Sequence, residues 1–316
     1  MPIATLPVYE TLIQTSAELE RLAALGDGLS AALWQRKKLE DTVYRRPGHH
    51  TLSLYLEGGF RIMRRDCPGL HGAPDKLCIL PAEHESDWRI DGQSRFLHLY
   101  FSPEQYDALA LTLLDRDARD CPLPDLTYID DPVLVAACRQ LARLDWDSSE
   151  GRLAGNALGH EVLAHLMLTQ AGRRRAVAVK GGLAPVQRRR VQELIESRLD
   201  TALTVGELAA ELALSEYHFA RMFRASFGMA PHAWILQRRL ARAREVLAGS
   251  DLALADVAAA CGFASASHLA NRFRAALGVT PGEFRRWAGV AASGEMSEGT
   301  PVAGRRGAEL GAEVLA

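Results

Sequence analysis

The sequence predicts two domains of different class: an amino-terminal antiparallel β-barrel or sandwich followed by helices, and a carboxy-terminal all-α domain. Three observations predict this. Residues from about 25 to 101 alternate with the strand period between turn signals. The character becomes helical at SPEQYDALALTLL. Finally, FRASFGMAP at 223–231 returns as FRAALGVTP at 273–281, offset by fifty residues. A chain of 316 residues is long enough for two such domains, each with its own core.

Composition sets the frame. The apolar share is 48% and the charged share 24%, and no apolar run reaches the roughly 18 residues of a membrane span. The opening MPIATLPVYETLIQT lacks a basic patch leading into an apolar core, so the expectation is a cytoplasmic chain with no membrane partner. The net charge of −2 hides an asymmetry: −8 over residues 1–172, +8 over 173–286 and −2 over the rest. A basic second half points to a polyanionic partner, most simply nucleic acid. Five cysteines without a CxxC pair support neither a disulfide framework nor a zinc site.

In the amino-terminal half, TLSLYLE sets Leu52, Leu54 and Leu56 on one strand face. EGG then predicts a hairpin into FRIMRR, with Gly58 and Gly59 at the turn. KLCILPA, SDWRI and RFLHLYF add short strands. Ser102 is placed to cap a helix with Pro103 in its first turn. A later helix, about 150–171, presents Leu158, Val162, Leu163 and Leu166 as an apolar stripe, a candidate dimer interface. Residues 1–171 are thus expected to form one domain, with this helix as its route to dimerisation. GRRRAVAVKGGLAP at 172–185 reads as a linker, and 288–316 as a disordered tail.

The informative region is 186–287. TVGELAAELALSEYHFARMFRASFGMAP has the shape helix, tight turn, helix. Thr204 and Glu207 form a capping box, Ser215 caps the second helix, and Phe219, Met222 and Phe223 line its inner side. LALADVAAACGFASASHLANRFRAALGVTP repeats the unit with one additional residue in FASAS. Each copy ends on Gly228 or Gly278, and Pro231 or Pro281 starts the next helix. HAWILQRRLARAREVLAG between them reads as a long connecting helix, a rod able to hold two recognition helices about one DNA turn, roughly 34 Å, apart.

The outward positions are therefore the candidate DNA-binding residues: Glu216, Tyr217, His218, Arg221 and Arg224 in the first copy, and Ser267, His268, Asn271 and Arg274 in the second. Arg221 can bridge guanine O6 and N7, and Asn271 can pair bidentately with adenine. Arg224 and Arg274, each following a buried Phe, suit phosphates or carboxylates.

With these motifs, residues 187–286 resemble the DNA-binding domain of the AraC/XylS family of bacterial transcription regulators. The segment DVAAACGFASASHLANRFRAALGVTPGEFRR carries the resemblance most strongly, through Ala258, Gly262, Phe263, Phe273, Arg274, Gly278, Pro281 and Phe284. The resemblance implies base contacts from Tyr217, Ala220 and Arg221 and from Ala266, Ser267 and Asn271. Ala220 and Ala266 stand where the family often has longer polar residues. Ala213 replaces the usual turn glycine, retained in the second copy as Gly262; if that turn needs positive φ, alanine costs roughly 1 kcal/mol.

The resemblance further implies a cupin-like barrel in the amino-terminal half that binds a small organic effector, and helices that form a homodimer on double-stranded promoter DNA. An activator would also engage RNA polymerase. Arg64, His84, Trp88 and His98 are the candidate effector-binding residues, an aromatic wall with polar anchors. No cofactor is expected. A metal-dependent cupin enzyme is the rival, with His49, His50 and Glu57 as its strongest cluster, but adjacent histidines on a strand point to opposite faces and cannot share an interior metal. The alternative within regulation is an effector-independent binder whose barrel serves only dimerisation.

Overall fold

The structure, a computed structural model, describes residues 7–170 and 181–295, with side chains as far as Gly289. Helix α1 (Pro7–Ile13) precedes strands β1 (Glu18–Gly26), β2 (Leu29–Arg36), β3 (Glu40–Arg45), β4 (His50–Gly58), β5 (Met63–Arg64), β6 (Leu77–Leu80), β7 (Glu85–Ile90) and β8 (Ser94–Phe101). Helix α2 (Pro103–Leu114) and a 3-10 turn (Ala118–Asp120) lead to β9 (Leu126–Ile129), α3 (Pro132–Arg143) and α4 (Ser149–Gln170). From 181 to 295 every described element is a helix: α5 (Pro185–Ser197), α6 (Val205–Glu211), α7 (Glu216–Phe227), α8 (Pro231–Gly249), α9 (Leu254–Ala260), α10 (Ala266–Leu277) and α11 (Pro281–Glu295). No described helix is long and apolar enough to cross a membrane.

The strands form two antiparallel sheets, ordered β1-β2-β8-β4-β6-β9 and β3-β7-β5. From β2 to β8 every connection carries the chain from one sheet to the other. The sheets face each other across an aromatic layer that includes Trp34, Tyr55 and Phe96 from one and Tyr44 and Trp88 from the other. No ladder joins the sheets among the described residues, so the expected closed barrel is corrected to two facing sheets.

The expected β4–β5 hairpin is also absent. Strand β4 pairs with β6 and β8, while β5 pairs with β7 in the other sheet. Gly58 and Gly59, at φ +67° and +85°, take the chain out of its sheet there, and a side chain on Gly58 would collide with the Gln93 carbonyl. Alternation along β4 holds: Leu52, Leu54 and Leu56 face the helices, and Ser53 and Tyr55 face the opposing sheet. Each such buried leucine contributes about 1.5–3 kcal/mol.

Helices α2, α3 and α4 cover the outer face of the larger sheet. Leu158, Val162, Leu163 and Leu166 are buried in that core, so the stripe offered as a dimer interface is consumed inside its own domain. Gly155 and Gly159 permit this close approach, because a Cβ there would stand 2.9 Å and 2.8 Å from Leu25 and Leu29 side chains. One further difference concerns a boundary: α11 runs to Glu295, into the segment 288–316 expected to be disordered. Most of the expected linker, residues 172–180 of 172–185, lies outside the described residues, as does 296–316.

Candidate nucleic-acid interface

The two helix pairs are built by local hydrogen bonds. At α6, Thr204 Oγ1 accepts from the Glu207 amide at 3.2 Å, and the Thr204 amide donates to Glu207 Oε2 at 2.8 Å. That amide, with the Arg198 guanidinium and the Thr204 hydroxyl, holds the Glu207 carboxyl down at about 2. Ser215 and Ser265 cap α7 and α10 by accepting from the His218 and His268 amides at 3.3 and 3.1 Å. Gly228 and Gly278 end these helices at φ +72° and +75°. Both tight turns contain a left-handed residue: Ala213 at φ +54° and Gly262 at φ +73°.

One face of each second helix is buried and the other open. Phe219, Phe223 and Phe227 are fully buried on α7, as are Leu269, Phe273 and Leu277 on α10. Phe223 and Phe227 stack with centroids 3.9 Å apart, and Trp234 of α8 meets Phe227 edge-on. Tyr217, Arg221 and Arg224 are exposed on α7, as are Ser267, Asn271 and Arg274 on α10. Tyr217 is 80% exposed, an unusual position for a ring with nothing to cover it.

The cations of the domain divide into two groups. Arg190, Arg198 and Arg238 are paired with Glu211, Glu207 and Glu196, and Arg239 and Arg285 donate to backbone carbonyls. Among the described residues, the guanidinium groups of Arg221, Arg224 and Arg274 make no ion pair or hydrogen bond. Three unpaired guanidinium groups on the outward face of α7 and α10 suit a polyanion.

Three predicted positions are occupied differently. Glu216 folds back, its carboxylate 2.7 Å from where a Gly206 Cβ would stand, beside the amino-terminal end of α6. His268 accepts from the Ala264 amide at 3.4 Å and packs edge-on against Phe263, which ties it to its own turn. His218 is half-buried, its amide serving the Ser215 cap.

In the amino-terminal domain, His84, Trp88 and His98 line one cavity between the sheets, with Arg36, Ser53, Tyr55, Ser94 and Phe96. Burial drives the His98 imidazole down to about 3, so it is neutral. Arg64 does not line this cavity and is corrected from an effector anchor to a structural cation: Asp66, Asp125, the Thr127 hydroxyl and the Glu85 carbonyl take up its guanidinium. The cavity's cation is Arg36, which sequence reasoning missed. It donates to Glu40, Thr42 and Tyr44 at 3.0 to 3.3 Å; the i, i+4 spacing to Glu40 was its only signal. The cavity measures about 40 Å³, room for roughly three water molecules. His49 and His50 lie on opposite sides of the sheet, beside Tyr100 and beside Phe101 and Tyr106 respectively.

The sheet domain touches both helix pairs. The β1–β2 turn is the hub. Asp27, at φ +49°, accepts from Arg244 of α8 at 2.8 Å and contacts His160 Nε2 at 3.1 Å and Asn156 Nδ2 at 3.3 Å. Its amide donates to the Ala276 carbonyl of α10, and its own carbonyl accepts from Gln105. Burial alone would raise the Asp27 carboxyl, but His160, Arg244 and Asn156 hold it below the usual range. On the other side, Ala108 and Leu111 of α2 join the core of α6 and α7, and Arg188 of α5 pairs with Asp117 at 3.2 Å.

Residues 208–286 match the family model of a helix-turn-helix domain. The chain is 38% identical over 98 residues to the transcriptional activator NphR of a Rhodococcus species, covering 31% of this chain and 29% of that one. It is 30% identical over 95 residues to the probable transcriptional regulator LumQ of Photobacterium leiognathi, covering 30% and 38%. It thus spans about a third of the length of these curated relatives. The crystal structure of the DNA-binding domain of AdpA, a global transcriptional factor, in complex with a target DNA aligns with 35% of this chain and 96% of that one, at 32% identity and a TM-score of 0.31.

Proposed function

We propose that this chain is a sequence-specific DNA-binding transcription regulator of the AraC/XylS type, a reading supported by the helix-turn-helix match over residues 208–286 and the similarity to the activator NphR. One observation carries the reading: α7 and α10 each turn an uncovered polar face outward, and the guanidinium groups of Arg221, Arg224 and Arg274 on it are unpaired while Arg190, Arg198 and Arg238 are bound to carboxylates. Arg221 and Asn271 read base edges in the major groove. Arg224 and Arg274 hold phosphates, and Tyr217 packs on the backbone or a thymine methyl. The 19-residue α8, about 28 Å long at 1.5 Å per residue, spaces the two readers for successive grooves.

In this reading the two-sheet domain is cupin-like and regulatory, and the protein works as a homodimer at a promoter, as an activator engaging RNA polymerase. The Asp27 hub and the α2–α7 contact let a change in the sheet domain bias the orientation of both readers. The inter-sheet cavity is small, which favours a second reading in which no effector enters it and regulation is effector-independent or uses another site.

The test is a salt-controlled titration of the purified chain against duplexes selected from a randomised pool. Enrichment of one bipartite sequence, bound about a thousandfold more tightly than random DNA, is the expected result. Equal affinity for selected and random duplexes would refute sequence-specific reading.

A further inference from the structure

A second and larger concavity lies outside the sheets. It measures about 660 Å³ and runs between the Pro81–Glu85 loop, the start of α2 and residues 118–125, within the range of small-molecule sites. Pro103, Pro122 and Leu123 supply apolar walls. Two buried polar atoms on its lining residues have no hydrogen-bond partner: the hydroxyl of Tyr106, a residue 1% exposed, and Nε2 of His84, a residue 3% exposed. His84 Nδ1 is 2.7 Å from the Pro81 carbonyl, so Nδ1 carries the proton and Nε2 presents a lone pair. Both atoms can therefore accept hydrogen bonds.

The charges of the groove are unbalanced. Of its acidic residues, Asp125 is held by Arg64 and Glu85 by Arg45 and Arg46; of its basic ones, Arg119 is held by Asp117. Asp107 and Glu83 have no cationic partner among the described residues. Asp107 is half-buried and sits where α7 ends, its Oδ2 3.1 Å from the position of a Cβ on Gly228, the residue capping that helix. The partial negative charge of a helix carboxy terminus and the carboxylates of Glu104 and Asp117 surround it. Burial, and after it these carboxylates, push the Asp107 carboxyl up to about 6. A carboxylate in that position lacks a counter-cation.

We propose that this groove binds a small organic cation, a protonated amine or guanidine with a short apolar body, whose charge engages Asp107 and whose N–H groups donate to Tyr106 and His84. The apolar body lies against Pro103, Pro122 and Leu123. Resting on the DNA-binding reading above, the site gives that reading an effector class: a cation at Asp107 changes the electrostatics at the end of α7, the first recognition helix, whose core Ala108 and Leu111 of the same α2 help to form.

The experiment is isothermal titration calorimetry of the full chain with benzylamine and agmatine, and with benzoate as the control of similar size and opposite charge. Saturable one-to-one binding of at least one amine, none of benzoate, and an affinity at least about tenfold weaker in Asp107→Asn are expected. Tyr106→Phe serves as the second variant, with a smaller loss. Equal binding of benzylamine and benzoate, no binding of either amine, or undiminished amine binding by Asp107→Asn would overturn the site. A parallel titration of duplex DNA separates the two readings. Amine binding with unchanged DNA affinity overturns the coupling alone, and amine binding by a chain that selects no DNA sequence overturns the regulator reading while the site stands.

Discussion

Ala213→Gly is expected to stabilise the protein. Ala213 is exposed and sits at φ +54° in the turn between α6 and α7. An L-residue held in the left-handed region costs roughly 1–2 kcal/mol. Glycine relieves that strain but adds freedom to the unfolded chain worth about 0.4–1 kcal/mol. No packing is lost with an exposed methyl, so the net gain is about 0.5–1 kcal/mol, and Tm of the helical domain rises by a few degrees at about 4–8 °C per kcal/mol. The second copy supplies the opposite control. Gly262, at φ +73°, has no room for a methyl: it would collide with the Leu199 carbonyl and stand 2.8 Å from Arg239 Nε. Gly262→Ala combines backbone strain with that clash and loses at least about 2 kcal/mol. Urea and thermal denaturation of the three proteins, followed by circular dichroism, measure both. A destabilised Ala213→Gly would mean that the first turn is not held left-handed, and the geometric equivalence of the two helix pairs would fall with it.

Four further outcomes follow from the same geometry. Asn271→Ala should lower discrimination at a single base pair by about 1–3 kcal/mol; equal losses on specific and random duplexes would make Asn271 a backbone contact. Replacing Arg224 by Gln should weaken binding to all sequences alike and reduce the salt-dependence slope by about 1, and an unchanged slope would place Arg224 off the phosphates. Burial holds the His49 imidazole at about 4 and those of His50 and His98 at about 3, against 6.5 for an ordinary histidine. The unfolded chain therefore takes up protons that the folded one refuses, so stability is complete above pH 6.5 and falls on acidification by about 1.4 kcal/mol per pH unit for each histidine. Urea midpoints at pH 7.5, 6 and 5 test this, and a flat profile would contradict the burial. Asp27→Asn tolerates the left-handed turn yet removes the charge opposite Arg244, with an expected loss of about 1–2 kcal/mol of coupling between the domains. The sheet domain and the helical domain should then melt in separate steps, and a single unchanged transition would show that the Asp27 hub does not join them.

The repeated helix pairs were legible in the sequence because their determinants are local. Thr204 and Ser215 act on amides three residues away, Gly228 and Gly278 act on their own backbone, and burial of Phe219, Phe223 and Phe273 follows from helical spacing. The outward placement of Tyr217, Arg221 and Asn271 is the other side of the same periodicity. Within the sheet domain, alternation sorted Leu52, Leu54 and Leu56 from Ser53 and Tyr55, but did not say which strand pairs with which.

What the sequence by itself determined, then, is the pair of helix units, their capping and the residues each turns outward. The tertiary structure decided which of those outward residues stay free. Glu216 is drawn back to α6 by a helix end, and Arg64 is captured by Asp66 and Asp125. The apolar stripe of α4 is spent on its own core, and Asp27, which no motif singles out, meets Arg244 across 217 residues of chain. Periodicity records the face on which a side chain lies. What it meets there depends on surfaces brought together from distant parts of the chain, through burial and charge pairing that no local window contains.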